Sequence, residues 1–258
     1  MKLFDLTGRT ALVTGARTGI GRAVAAGLAE AGAHVIAHGH HSEKIDFKAA
    51  QPGTEGAPAT VPQSGQDRTE RWVYDLSRPD GLPDAVRTLP DIDILVNNAG
   101  IIRRAPAATH SFDEWREVMT VNLDSVFLLT RLIGAGMLTR RRGKIIMIAS
   151  MLSFQGGIMV PGYTASKHAV VGLTKALANE WAADNVQVNA IAPGYIETNN
   201  TATLRADPER EPAISARIPA GRWGTPEDLV GAAVFLAAPA SDYVSGHVLA
   251  VDGGWLAR

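Results

Sequence analysis

The chain has 258 residues, of which 46% are hydrophobic and 20% charged, and its formal net charge is -1. This balance gives no basic surface for nucleic acid or an anionic membrane. The lack of cysteine excludes disulfides and thiolate catalysis, and the first residues do not resemble a signal peptide, so we expect a cytoplasmic protein. No apolar run approaches the roughly 20 residues of a membrane span, so we expect no membrane contact.

Short apolar strands alternate with segments of helical periodicity along the chain. The predicted strands are 10–14, 34–39, 71–76, 93–97, 144–150, 186–193 and 247–251. The predicted helices are 19–31, 112–137, 161–183 and 225–237. Because the strands are apolar throughout, they are typical of central parallel strands covered on both faces. The sequence therefore predicts an α/β fold: a doubly wound parallel sheet of about seven strands (Rossmann), in a single domain spanning 1–258.

One stretch, 42–69, interrupts this alternation. It is rich in proline and glycine where a crossover helix is expected. The composition predicts a short or broken helix with a mobile loop.

The turn after the first strand is rich in glycine and reads "TGARTGIG" at 14–21. Glycines at a strand-to-helix turn let the backbone approach a pyrophosphate, while the N–H groups at the helix start attract its charge. The alternative is a turn that arises from packing alone, but its place in the first βα unit favours dinucleotide binding. The candidate residues of this turn are Gly15, Arg17, Thr18, Gly19, Ile20 and Gly21.

The second strand ends in "HGHH", where an acidic residue would normally hold the adenosine ribose. Gly39 stands in that position, while Arg17, His40 and His41 could accommodate a 2′-phosphate. We therefore expect NAD as cofactor and do not exclude NADP. His38, His40 and His41 have no cysteine or carboxylate spaced to complete a metal shell, so no metal site is predicted.

Two further motifs follow the third and fourth strands, at the edge where ligands of such sheets bind. Asp75 in "YDLS" is suited to accept a hydrogen bond from the adenine amino group. The motif "NNAG" places Asn98, Ala99 and Gly100 where bulk would collide with a cofactor. The asparagines could equally be turn formers.

Three side chains near the fifth strand can converge on one point. Ser150 ends this strand, and Tyr163 and Lys167 lie one turn apart on the next helix. A cation about 4 Å from a phenolate is worth roughly 4 kcal/mol at an effective dielectric near 20, which would lower the tyrosine pKa. The alternative is an ordinary solvated pair on a helix surface. Together with a nucleotide site, the trio predicts proton transfer coupled to hydride transfer.

These motifs together resemble the short-chain dehydrogenase/reductase family over nearly the whole chain. The matching segments are "TGARTGIG", "NNAG", Asn122 in "TVNLDSVF", Ser150, "YTASK" and "PGYIET". The resemblance implies a catalytic tetrad of Asn122, Ser150, Tyr163 and Lys167, in which Asn122 bends its helix to hold a water behind Lys167. It also implies that Lys167 contacts the nicotinamide ribose. Further cofactor contacts are implied at Leu76, Pro193, Gly194, Ile196 and Thr198.

Within this family the chain is most similar to dehydrogenases of deoxy sugar acids in pectin and hexuronate breakdown. The segments that carry this similarity are "NNAGIIRR", "IASMLSFQGG", "RIPAGRWG" and "AVDGGWLAR". An arginine fork suits a carboxylate. The candidate substrate residues are Arg103, Arg104, Ser150, Gln155, Tyr163 and Asn199, under a lid at about 198–217. The alternative for the two arginines is a solvated loop pair. The alternatives for the function are a reductase of an alginate-derived keto-uronate or a 3-oxoacyl substrate, and a non-catalytic NAD(P)-binding regulator.

The family resemblance also implies a homotetramer. Two predicted helices, 112–137 and 161–183, show apolar residues on more than one side, as expected for helices with a second partner. These residues are Val126, Leu129, Leu132, Ile133, Val171, Leu177 and Trp181.

Overall fold

The computed structural model describes residues 2–40 and 69–258. Of the proline- and glycine-rich stretch, residues up to 68 lie outside this part, as does His41. The broken helix and mobile loop predicted there therefore stay predictions.

Seven parallel strands form one sheet. They are β1 Thr10–Val13, β2 His34–Gly39, β3 Thr69–Val73, β4 Ile94–Asn97, β5 Gly143–Ile148, β6 Val186–Pro193 and β7 Val248–Val251. The strand order is β3-β2-β1-β4-β5-β6-β7, and each neighbouring pair is parallel. The predicted doubly wound sheet is confirmed. Its order reverses between β1 and β4, the point where ligands of such sheets bind.

Helices cover the sheet. The α-helices of the described residues are α1 Gly19–Glu30, α2 Leu82–Val86, α3 Phe112–Met119, α4 Ser125–Arg140, α5 Pro161–Trp181, α6 Ala202–Arg205, α7 Arg210–Ser215 and α8 Val230–Ala237. Helix α3 begins after Ser111, whose hydroxyl accepts a hydrogen bond from the backbone of Asp113. Helix α5 begins with proline, which has no backbone N–H to leave unpaired.

The predicted helix 112–137 is interrupted by a π-helical turn at Thr120–Asp124, which contains Asn122. By length and composition alone, the stretch Phe112–Arg140 would be able to cross a membrane, which the sequence analysis did not anticipate. Half of its most apolar 18-residue segment is buried inside the fold. That burial is typical of a core helix packed on a sheet.

Two large apolar clusters form the core, one on each face of the sheet. Val126, Leu129 and Ile133 of α4, and Val171 and Leu177 of α5, are buried in the second cluster. Leu132 and Trp181 pack against it. The sheet and helices of the same chain thus bury five of the seven side chains, while Leu132 and Trp181 are partly buried. The second partner for these helices stays a prediction.

Candidate active site

A cavity of about 580 Å³ runs along the carboxyl ends of the strands. Most of the predicted cofactor residues line it: Gly15, Thr18, Gly19, Ile20, Gly21, His40, Asp75, Leu76, Asn98, Ala99, Gly100, Tyr163, Lys167, Pro193, Gly194, Ile196 and Thr198. Ser150 and Arg103 line it as well. Five other candidates are not among the described residues that line the cavity: Arg17, Arg104, Asn122, Gln155 and Asn199.

The glycine turn lets a ligand approach the protein backbone closely. Gly15 has φ 64, a left-handed conformation that other residues rarely adopt. A Cβ on Gly21 would collide with the side chain of Asn98 and the carbonyl of Gly15. Within the described residues, Thr18 precedes α1 but its side chain makes no capping hydrogen bond. The first N–H groups of the helix are therefore not capped by it. These features fit a dinucleotide pyrophosphate.

The "NNAG" segment braces this turn. The side-chain amide of Asn98 donates to the carbonyls of Thr14 at 2.8 Å and Gly15 at 3.2 Å. The backbone N–H groups of Asn98 and Ala99 both donate to the Thr14 hydroxyl at 2.9 Å. Asn97 instead lies in the core and donates to Thr130 at 2.9 Å. The side chain of Asn98 therefore holds the turn after β1 and that of Asn97 contacts helix α4, so neither bonds its own backbone as a turn former would.

At the adenosine end, His40 and Asp75 form a pair, with Nε2 of His40 3.1 Å from Oδ1 of Asp75. Burial raises the pKa of Asp75, but hydrogen bonds from Ser77 and His40 outweigh it, so the net shift is downward. Asp75 therefore remains a carboxylate that can accept a hydrogen bond. Sequence reasoning treated His40 and Asp75 as separate contacts and did not foresee their pairing.

His38, which sequence reasoning considered only as a metal ligand, lies buried beneath the glycine turn. Its Nδ1 accepts from the backbone N–H of Gly15 at 3.1 Å, and its Nε2 is 2.9 Å from the Tyr74 carbonyl. Burial lowers the pKa of His38 to about 4, so the ring is neutral near pH 7. Within residues 2–40 and 69–258, no group of three or more metal-ligating side chains occurs.

At the other end, Ser150, Tyr163 and Lys167 meet in the cavity wall. Lys167 is 5% exposed, and its Nζ donates to the Ile148 carbonyl at 2.6 Å. The same Nζ lies 5.6 Å from the centre of the Tyr163 ring. A hydrogen bond with Ser150 acts on the Tyr163 hydroxyl. The three groups are thus placed to handle one proton at one substrate oxygen.

The predicted effect of Lys167 on the tyrosine needs correction. Burial raises the pKa of Tyr163, while the Ser150 hydrogen bond and the positive charge of Arg104 lower it. Lys167 is not among these causes, and burial lowers its own pKa to about 8. The ammonium is desolvated and held by a carbonyl, so it does not supply the full effect expected of a cation at about 4 Å.

Asn122 lies outside the cavity wall and fixes the chain beside it. Its Oδ1 accepts from the N–H of Ile101, and its Nδ2 donates to the carbonyl of the same residue, both at 2.9 Å. Nδ2 also lies 3.3 Å from the Ser166 hydroxyl. Asn122 therefore holds the segment after "NNAG" against helix α5.

The two adjacent arginines have different partners. Arg103 donates to Glu117 through Nε at 2.9 Å and Nη2 at 2.6 Å. Arg104 is exposed and donates to the Asn200 carbonyl at 3.1 Å. Sequence analysis missed Glu117, which lines the cavity as Asn200 does. In the sequence, Glu117 was visible only as one acidic residue of the predicted helix 112–137, with nothing to place it at the site.

The predicted lid segment, 198–217, contains α6 and α7. Thr198, Asn200 and Thr201 line the cavity. Ile214 is buried in a small cluster with Met151, Ile218, Trp223 and Trp255. Met151 follows Ser150 directly, so this cluster connects the segment to the catalytic strand end.

Comparisons with known proteins match nearly the whole chain. A family profile described as "Enoyl-(Acyl carrier protein) reductase" matches residues 15–256. The 2-dehydro-3-deoxy-D-gluconate 5-dehydrogenase of Bacillus subtilis (strain 168) is 54% identical over 258 residues, covering 99% of this chain and 97% of the relative.

Two solved structures match the full chain. One, from Agrobacterium tumefaciens and provisionally named a 2-deoxy-D-gluconate 3-dehydrogenase, has bound NADP, 50% identity and a TM-score of 0.87, and the match covers 100% of both chains. The other is a gluconate 5-dehydrogenase from Burkholderia cenocepacia J2315 in complex with NADP and tartrate. It is 39% identical with a TM-score of 0.89, covering 100% of this chain and 98% of that one. Both hold NADP, which the sequence analysis did not exclude although it expected NAD.

Proposed function

The chain belongs to the short-chain dehydrogenase/reductase family, and from that premise we propose that it is an NAD(P)-dependent oxidoreductase of a deoxy sugar acid in hexuronate and pectin breakdown. Its substrate is of the 2-dehydro-3-deoxy-D-gluconate or 2-deoxy-D-gluconate type, with a secondary alcohol or ketone as the reacting group. The observation that carries this proposal is the placement of Ser150, Tyr163 and Lys167 in the same cavity as the glycine turn.

The chain's own residues divide the work. When bound, the nicotinamide cofactor accepts or supplies the hydride. Tyr163 transfers the proton at the substrate oxygen, and Ser150 orients that oxygen through its hydroxyl. Lys167 holds the nicotinamide ribose, and Asn122 fixes the adjacent Ile101 segment. Ile196 and Thr198 hold the carboxamide.

The substrate carboxylate binds Arg104. This guanidinium reaches the lid segment through the Asn200 carbonyl and acts electrostatically on Tyr163, so it lies near both. A carboxylate bound there replaces a neutral carbonyl by a charged acceptor, which forms the stronger hydrogen bond. Gln155 and Asn199 are further hydroxyl partners of the substrate under the lid segment 198–217.

The chain uses NADP as well as NAD. Gly39 brings no carboxylate against a 2′-phosphate, and His40 lines the cavity beside it. The NADP bound in two similar structures supports the use of NADP. The homotetramer implied by the family and the cytoplasmic location expected from the sequence remain predictions, and light scattering on the purified protein measures the first.

The test is an absorbance assay of the purified protein with NAD and NADP. The oxidation substrates are 2-dehydro-3-deoxy-D-gluconate and 2-deoxy-D-gluconate, and a 3-oxoacyl thioester with NADPH or NADH serves as the competing reaction. Turnover of a sugar acid supports the proposal. Turnover of the thioester alone would replace it with an acyl reductase.

A further inference from the structure

Glu117 is the acidic side chain that the reaction leaves without a role. It lines the same cavity as Ser150 and Tyr163 and belongs to α3, the helix directly before the π-helical turn. Its two carboxylate oxygens each accept one hydrogen bond from Arg103, at 2.9 Å and 2.6 Å. The side chains are 36% (Arg103) and 41% (Glu117) exposed, and both residues line the cavity, so the pair is accessible to a ligand there.

This pairing removes one arginine from substrate binding. The Nε and Nη2 edge of Arg103, which would receive a carboxylate in a two-bond contact, is occupied by Glu117. Its Nη1 points to the Ile102 carbonyl at 3.3 Å. Among the described residues, by contrast, no carboxylate pairs with Arg104, whose bond is to a neutral carbonyl. One arginine fork is therefore left for the substrate.

We propose that Glu117 is a specificity-determining residue that restricts the site to sugar acids with a single carboxylate. It does so by holding the guanidinium of Arg103 in an ion pair, so that this cation is not available to a second carboxylate. The inference rests on the proposed function and adds to it the class of acid that the enzyme rejects.

The chemical distinction concerns the end of the substrate opposite the first carboxylate. A six-carbon aldonic acid ends in a hydroxymethyl group, and the matching aldaric acid ends in a second carboxylate of similar size. Because shape distinguishes these poorly, rejection has to come from charge. A charge in such a partly exposed site changes the preference by about tenfold, and added salt reduces the effect.

The experiment compares the wild type with Glu117→Gln, which keeps the size and one acceptor oxygen but removes the charge. The two substrates are 2-dehydro-3-deoxy-D-gluconate and its diacid counterpart 2-dehydro-3-deoxy-D-glucarate, at low and high salt. We expect the ratio of kcat/KM for diacid over monoacid to rise about tenfold in the variant, mainly through KM of the diacid. The rise should shrink at high salt.

Two further variants identify the cause. Glu117→Asp keeps the charge, so its ratio should stay near that of the wild type. The double variant Arg103→Gln/Glu117→Gln removes both charges, and its ratio should fall below that of Glu117→Gln because no freed arginine remains. NADPH binding, followed by fluorescence, verifies the fold of each protein.

An unchanged ratio in Glu117→Gln, with monoacid turnover retained by the wild type, overturns the inference alone. A wild type that turns over neither acid overturns the proposed function together with the inference. A rise in the ratio that is equal in Glu117→Asp would also overturn it, because that variant retains the charge.

Discussion

The backbone N–H of Gly15 donates a hydrogen bond to Nδ1 of His38 at 3.1 Å. The other ring nitrogen lies 2.9 Å from the Tyr74 carbonyl, which can only accept, so Nε2 carries the proton. A single neutral imidazole thus links the glycine turn after β1 to the end of β3, where Asp75 follows. The pyrophosphate end and the adenosine end of the cavity are fixed by the same side chain.

We predict that His38→Leu weakens cofactor binding. The substitution leaves the Gly15 N–H and the Tyr74 carbonyl unpaired, and the loss of such bonds costs about 1–2 kcal/mol, or roughly tenfold in Kd. Fluorescence titration with NADPH measures the change. Tyr74→Phe is the matched control, because the backbone carbonyl that His38 uses is retained. Equal affinities of His38→Leu and wild type would show that the link is not needed.

His38 also makes stability depend on pH. In the unfolded chain a histidine titrates near 6.5, whereas burial lowers the folded pKa to about 4. Below 6.5 the unfolded state binds a proton that the folded state does not, so stability falls as the pH decreases from 6.5 to about 4. The full difference is on the order of 3 kcal/mol. Urea denaturation across this range should show a smaller decline for His38→Leu than for the wild type, and parallel curves would contradict the account.

The sheet was predictable because its strands are apolar throughout and alternate with helical segments. The same reasoning placed Ser150, Tyr163 and Asp75 at one edge, since the carboxyl ends of parallel strands meet there. The π-helical turn at Thr120–Asp124 was implied by the family only as a bend, because a hydrophobic pattern of helical period does not reveal one extra residue in a turn.

The partners and the burial of individual side chains could not be predicted from the sequence. Arg103 and Arg104 look alike in the chain, and only the folded arrangement gives one of them Glu117 and the other the Asn200 carbonyl. Likewise, the residue spacing suggested that Lys167 acts on the Tyr163 pKa, but spacing contains no information about desolvation. Burial of both groups changed the electrostatic balance.

Replacing Tyr163 by Phe tests the proton-transfer step. The phenol is the group that exchanges a proton with the substrate, so kcat should fall by about 10²–10⁴-fold. The Kd of NADPH should change little, because the ring remains in the cavity wall. Steady-state kinetics and fluorescence titration separate the two effects. Activity close to that of the wild type would rule out this role.

Lys167 gives cofactor binding a pH dependence. Because burial lowers its pKa to about 8, the ammonium that is proposed to hold the ribose is present below that pH and lost above it. NADPH affinity should therefore decrease as the pH rises through about 8. In Lys167→Ala the affinity should be weaker and independent of pH in this range. Lys175→Ala, an exposed lysine of the same helix, should behave like the wild type.

Arg104→Gln tests both roles of the unpaired arginine. Loss of a charged bond to the substrate carboxylate should raise KM for the sugar acid about tenfold to a hundredfold, with little effect on the Kd of NADPH. The positive charge of Arg104 lowers the pKa of Tyr163, so its removal should also shift the alkaline limit of kcat/KM to higher pH.

Arg104→Lys should restore the pH profile better than KM, because a lysine keeps the charge but not the planar fork. Arg87→Gln, at an exposed ion pair on the surface, is the matched control. A raised KM without the pH shift would leave Arg104 a role in binding but none in tuning Tyr163, and an unchanged KM would remove it from the substrate site.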